Sequence, residues 1–201
     1  MILRSAPPSP FGRKVKIAAG LLGLSDRITI VAADTNDASD DLRTQNPLGK
    51  IPTLVLDDGQ TLFDSRVILD YLDHIAGGGR IIPREPNARF AALRMQALCD
   101  GILDASILRV YEARYRPQAI HHQPWLDYQA DKVVRALAVL EAEPQALDPV
   151  PHVGQITLAC ALGYQDLRFA GTWRANHPQL VAWLDRFAAQ VPAFDQTRVA
   201  T

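Results

Sequence analysis

Apolar and polar positions follow two different rhythms along this chain. Up to residue 76, short runs of β-branched and apolar residues alternate with amphipathic helical stretches. Ile2 and Leu3 predict a brief strand, stopped by Pro7 and Pro8, which cannot continue a ladder. A helix follows: Ser9 is a favoured N-cap, Pro10 suits the first helical position, and Phe11, Val15, Ala18 and Leu22 recur on one face. Arg13, Lys14 and Lys16 are expected on the opposite, polar face. Ile28 to Val31 predicts a second strand, and residues 34–45 a polar loop with a short irregular helix. Asn46 to Lys50 form a turn into a strand over Thr53 to Leu56, and Asp58-Gly59 turns the chain into Thr61 to Phe63. The next helix should turn Val67, Ile68, Tyr71, Leu72 and Ile75 inward, and Asp70, Asp73 and His74 outward.

This order, βαβ followed by ββα, predicts a small mixed sheet covered by helices, a thioredoxin-like arrangement. Gly77 to Gly79, Pro83 and Pro86 interrupt the pattern, so residues 77–87 read as a linker between a domain over 1–76 and another over 88–201. Beyond the linker the period is helical throughout. The pattern predicts helices over Phe90 to Tyr115, Gln123 to Leu140, Val153 to Phe169 and Pro178 to Ala189. Ile156 to Tyr164 carries no charge, which puts that helix at the centre of an all-α bundle. The expected fold class is an α/β thioredoxin-like N-terminal domain followed by an all-α helical bundle.

With 201 residues, 48% apolar and 21% charged, the chain can bury a sizeable core and is not a disordered one. Its 21 basic and 22 acidic residues leave a net charge of −1, divided 9 to 10 before residue 81 and 12 to 12 after it. Neither part offers a basic field to nucleic acid or to an anionic membrane. No apolar run approaches the roughly 20 residues of a membrane span. Arg13, Lys14 and Lys16 ahead of Ile17 to Leu24 have the charge order of a short signal peptide, but cleavage there would destroy the strand and capped helix; a cytoplasmic protein is expected. Cys99 and Cys160 have no CxxC or metal spacing, and the five histidines form no HExxH, so no metal site is expected.

Three segments give the chain a family likeness. Asn46-Pro47-Leu48-Gly49-Lys50-Ile51-Pro52-Thr53-Leu54 resembles the stretch leading to a cis-proline in soluble glutathione transferases. Leu62-Phe63-Asp64-Ser65-Arg66-Val67-Ile68-Leu69-Asp70-Tyr71-Leu72 resembles their acid-Ser motif and its helix. Pro178, Leu180, Trp183, Arg186, Pro192 and Phe194 are similar in type and spacing to their closing helix. The serine before Pro10 and Phe11 is similar to that of bacterial members using serine where others use tyrosine or cysteine.

The resemblance implies a cytoplasmic homodimer with glutathione as co-substrate and a small electrophile as second substrate, without nucleic acid or membrane partners. It also implies roles. Ser9 would hold the thiolate of glutathione, although a hydroxyl in that position also simply caps a helix. Ile51, ahead of a cis Pro52, would pair with the cysteinyl backbone like an added strand, where the plain reading is a proline starting an edge strand. Asp64 and Ser65 would receive the γ-glutamyl end at a helix N-terminus, or only cap that helix. Lys50 would meet the glycyl carboxylate, or stay solvated in its turn. Asp100, in Asp100-Gly101-Ile102-Leu103-Asp104, would reach across the dimer, or with Asp104 form an ordinary solvated or bundle-pairing face. Phe11, Tyr111, Arg114, Tyr115 and Trp173 are candidates for the electrophile pocket, or for the core.

Two departures from the family pattern stand out. His152-Val153-Gly154-Gln155 replaces the usual Ser/Thr-x-x-Asp capping box, with histidine a weak substitute for the cap. Arg66 stands where a small or amide residue is usual, with Asp64 and Asp70 as its candidate charge partners. The absence of cysteine at position 9 argues against thiol exchange through the protein. Two other functions share these features: a glutathione-binding or protein-interaction module without catalysis, and a glutathione-dependent isomerase or peroxidase.

Overall fold

The computed structural model describes residues 1–199. Strand β1 (Ile2–Ser5) runs parallel to β2 (Thr29–Ala32), with Leu3 opposite Ile30, and antiparallel to β3 (Thr53–Val55), with Leu3 opposite Leu54. Strand β4 (Thr61–Leu62) pairs antiparallel with β3, so the sheet order is β2-β1-β3-β4. Helix α1 (Pro10–Leu22) connects β1 to β2, the short α2 (Leu42–Gln45) precedes β3, and α3 (Ser65–Ile75) follows β4. This is the expected thioredoxin-like layer. One detail differs: β3 is an inner strand, not an edge. Pro52 sits just ahead of its first residue, so the missing N–H removes no bond from the ladder.

The second layer is entirely helical: α4 (Pro86–Tyr115), α5 (Gln123–Ala142), α6 (Val153–Phe169), α7 (Pro178–Gln190) and the short α8 (Pro192–Gln196). Helix α4 starts a turn before the apolar period does, because Glu85 caps it, accepting from the N–H groups of Asn87 at 3.0 Å and Ala88 at 2.7 Å, with Pro86 at the first helical position. Helix α6 is buried continuously from Val153 to Leu162, as its uncharged stretch requires. Its start is sound as well. His152 Nδ1 accepts from the N–H of Gly154 at 3.0 Å and of Gln155 at 3.3 Å, and Gln155 Oε1 accepts from His152 N–H at 3.2 Å, a complete capping box. An unprotonated imidazole nitrogen is an acceptor of the same kind as a hydroxyl oxygen.

The polar face expected on α1 does not exist. Arg13 and Lys14 are buried, because α1 lies between α3 on one side and α6 and α8 on the other, leaving no broad face to solvent. Arg13 donates to the carbonyl of Phe194 at 2.6 Å and stacks 4.1 Å over that ring. Asp73 is likewise buried rather than outward: its carboxylate accepts the N–H groups of Gly79, Arg80 and Ile81 at 2.7, 2.9 and 2.8 Å, fixing the turn after α3. Val67, expected inward, is exposed.

Candidate functional site

The residues singled out near Pro10 converge because β1 ends against the start of α1. Pro7 and Pro8 end the strand, Ser9 donates its N–H to the carbonyl of Ala6 at 3.0 Å, and its Oγ accepts the N–H of Gly12 at 3.1 Å. Gly12 is required here: a methyl group at that position would collide with the hydroxyl of Ser5. Capping therefore occupies a lone pair of Ser9, and no acceptor among the described residues takes its hydroxyl proton. The hydroxyl thus sits at the positive end of α1 with a proton to donate.

A second wall comes from the turn before β3. Asn46, buried, donates through Nδ2 to the carbonyl of Lys50 at 2.9 Å and accepts the N–H of Leu48 at 3.0 Å. Gly49 takes φ +59°, a left-handed conformation that suits glycine. The Ile51–Pro52 peptide is cis, and the backbone N–H and C=O of Ile51 have no partner among the described residues. Lys50 extends from this turn, exposed.

The third wall is α4, whose Asp104, Ile107, Leu108, Tyr111, Arg114 and Tyr115 recur at helical spacing and face Ser9. Together these walls enclose a cleft of about 870 Å³ that holds Ser9, Phe11, Lys50, Ile51, Tyr111, Arg114 and Tyr115. Tyr111 and Tyr115 meet edge to face at 5.2 Å, and the Tyr115 hydroxyl donates to Asn36 Oδ1 at 2.7 Å, tying α4 to the loop after β2. A smaller cavity of about 210 Å³ lies behind the Pro7–Pro10 turn against α6 and α7. Only the larger one falls in the usual range of ligand sites.

Other candidates lie elsewhere. Pro52, Asp64, Ser65 and Asp100 are not on the surface of this cleft. Asp64 caps α3, accepting the N–H of Arg66 at 2.8 Å, and Ser65 is buried as the first residue of that helix. Asp100 is fully buried: one oxygen takes Lys14 Nζ at 2.6 Å and the other Arg66 Nε at 2.8 Å. Arg66 therefore pairs with Asp100, not with Asp64 or Asp70. With both oxygens committed inside the chain, Asp100 has no free face to offer a second subunit. Trp173 is buried and donates its indole N–H to Asp166 at 2.8 Å, which makes it a core residue rather than a pocket one.

Neither cysteine takes part. Both are buried and free, and burial pushes the Cys160 thiol up to about 11 and that of Cys99 higher still, so each stays protonated. Among the described residues no helix is long and apolar enough to cross a membrane.

Residues 8–75 match the family described as glutathione S-transferase, N-terminal domain, and residues 111–186 the one described as glutathione S-transferase, C-terminal domain. The uncharacterized GST-like protein YibF of Escherichia coli K12 is 33% identical over 86% of this chain and 86% of its own length. A glutathione transferase family member from Pseudomonas fluorescens Pf-5, crystallised with bound glutathione, is 45% identical with a TM-score of 0.92, covering 100% of this chain and 99% of that one. The chain belongs to the glutathione S-transferase family. A second structure from the same organism, with bound S-(propanoic acid)-glutathione, is 43% identical with a TM-score of 0.87 over 100% of both chains.

In this transferase family member the cleft contains residues that sequence reasoning missed, among them Asp34 to Asn36 after β2, Ile107 and Leu108 on α4, and Tyr164 and Arg168 on α6. The uncharged run up to Tyr164 marked the helix as central, which it is, but its last turns emerge from the bundle beside Ser9. The one available signal was the return of polarity after Tyr164, at Gln165, Asp166 and Arg168. Burial raises the pKa of Tyr164, opposed by the charge of the Arg168 guanidinium and by its hydrogen bond to the phenol oxygen. Asp104, at the far end of the α4 wall, has its carboxyl raised by burial and by Asp100.

Proposed function

We propose that the chain is a glutathione transferase in which Ser9 stabilises the thiolate of glutathione for attack on a small electrophile. A free thiol titrates near about 8.5, so only a few per cent is ionised at neutral pH. A hydroxyl donor at a helix N-terminus favours the anion, and each tenfold gain in thiolate corresponds to about 1.4 kcal/mol. The supporting observation is that the Ser9 proton is uncommitted, beside a cleft that also holds the unpaired backbone groups of Ile51.

In this reading the cysteinyl backbone of glutathione pairs with Ile51 as an added strand, and Lys50 meets the glycyl carboxylate. Asp64 and the N-terminal turn of α3 at Ser65 receive the γ-glutamyl group beyond the cis Ile51–Pro52 corner. Phe11, Tyr111, Arg114 and Tyr115 border the electrophile. The conjugate bound by the Pseudomonas relative, a glutathione carrying a substituent on sulfur, supports a site that holds both halves of a product. We also assign the chain to a homodimer, which light scattering tests.

Ser9→Ala tests the mechanism. Losing one hydrogen bond to a charged sulfur should lower kcat about tenfold to a hundredfold and move the thiolate's pH profile upward, while glutathione affinity changes little. Unchanged turnover would remove Ser9 from the chemistry.

A further inference from the structure

We infer that the electrophile end of the cleft is a carboxylate subsite formed by Arg114, Arg168 and the Tyr164 hydroxyl, so that the preferred second substrate is an unsaturated or aromatic electrophile bearing a carboxylate. The assignment of a reaction rests on the transferase reading; the subsite itself does not.

The charges in the cleft are segregated along α4. Its charged lining residues are Asp34, Lys50, Asp104, Arg114 and Arg168. At one end Asp104 feels the opposite charges of Arg66, Lys50 and Lys14. Arg114 lies ten residues further along the same helix, about 15 Å away at 1.5 Å per residue. There two acids of neighbouring elements are already paired: Asp166 holds Arg174 at 2.7 Å, and Glu112 accepts the N–H of His122 at 3.1 Å and pairs with Arg116 at 3.5 Å; Asp34, exposed in the loop after β2, accepts the N–H of Asn36 at 2.8 Å. Neither Arg114 nor Arg168 forms an ion pair among the described residues.

Both guanidiniums are nevertheless held. Arg114 sits 5.5 Å from the Tyr111 ring and Arg168 5.8 Å from the Tyr164 ring. An aromatic contact uses a guanidinium's face and leaves the donors along its edge available. The Arg168 Nε is buried without a hydrogen-bond partner among the described residues, and the same guanidinium bonds the Tyr164 hydroxyl, which places the two side chains together at this end of the cleft. A carboxylate supplies acceptor oxygens matched to such forks, and the hydroxyl of Tyr164, protonated at neutral pH as any tyrosine is, adds a donor beside them. Ile107, Leu108 and Tyr111 give the rest of the ligand an apolar and aromatic wall. A neutral apolar electrophile would fill that wall and leave the two cations without partners.

The test uses the full chain with two pairs of probes that differ only in charge. A chloronitrobenzoate and the matching chloronitrobenzamide both react by displacement: the glutathione sulfur forms a C–S bond, the C–Cl bond breaks, chloride leaves with its electron pair, and the thiol proton passes to buffer. Each kcat/KM is divided by the uncatalysed rate. The acid is expected to exceed the amide by about tenfold to a hundredfold, and Arg114→Gln/Arg168→Gln to bring the ratio near unity. para-Nitrobenzoate and para-nitrobenzamide, titrated by calorimetry, read the same preference without turnover. A charge preference in binding that the double variant loses, even with no turnover of either chloride, upholds the subsite and removes the transferase reading instead. Equal handling of acid and amide by the wild type, or a preference that survives in a folded double variant, overturns the subsite. Should thermal melting find the double variant unfolded, Arg114→Gln alone, at an exposed position, is judged by the same ratio, which should fall about tenfold.

Discussion

Helix α4 carries two arrangements of charge that solve burial in opposite ways. Near its middle, Asp100 is buried with Lys14 and also pairs with the half-exposed Arg66, so each buried charge has a partner inside the chain. At its C-terminal end, Arg114 lines the same cleft as Arg168, and neither forms an ion pair among the described residues. The first arrangement is closed, so its consequence is architectural: it joins α1, α3 and α4, and thereby the two layers of the protein. The second is open, and its cations are available to a ligand. Counting charged residues would treat the two alike. What separates them is whether the chain itself supplies the counter-charge.

Removing the counter-charge from the closed site should have the largest effect on stability. Asp100→Ala leaves Lys14 buried and uncompensated and is expected to cost about 3–5 kcal/mol, read as a large drop in urea midpoint. Arg66→Gln at the same site should cost under about 1 kcal/mol, because that side chain is half exposed, its pairing is screened by water, and Lys14 still neutralises Asp100. If the two variants lose equal stability, the triad is a surface network and the contrast with the cleft disappears.

A half-buried ionisable group, His152, sharpens the contrast by staying neutral. Burial lowers the pKa of His152 from its ordinary value, with Asp148 at 3.9 Å only partly opposing it, and its Nδ1 must be unprotonated to cap α6. The folded protein thus binds this proton less readily than the unfolded chain does. Its contribution is complete above about pH 6.5 and is lost as pH falls from there through the lowered folded value. The melting temperature should therefore fall between pH 7.5 and 5.5, an effect on the order of 1 kcal/mol. His152→Ser, which caps without titrating in that window, should flatten this dependence; an unchanged pH profile would assign the loss to other groups.

Local pattern carried much of this architecture. The 3.6 period and its end signals delimit α6 at Val153 and Phe169, where observed and expected bounds coincide. β-Branched runs and Asp58-Gly59 locate all four strands to within about two residues. The family resemblance, not the local pattern, put forward Ser9, Lys50, Ile51, Tyr111, Arg114 and Tyr115 as candidates, and they meet in one cleft. Periodicity misjudged Arg13, Lys14 and Asp73, all of them charged residues that burial normally excludes. Each is inside because a partner distant in sequence, or a run of backbone N–H groups, replaces water. Periodicity assigns a face to such a residue, but it carries no information about what that face meets.

Element order, the capped start of α1 at Ser9 and the turn that presents Ile51 follow from neighbours within a few residues, since propensity, capping and turn chemistry are local. Tertiary structure alone decided that α1 has no solvent face, that Lys14 and Arg66 share Asp100, and that Tyr164 and Arg168 leave the bundle core to complete the cleft. Those outcomes depend on packing between segments many residues apart, and the energy of a buried charge is set by whichever groups that packing brings within a few ångströms.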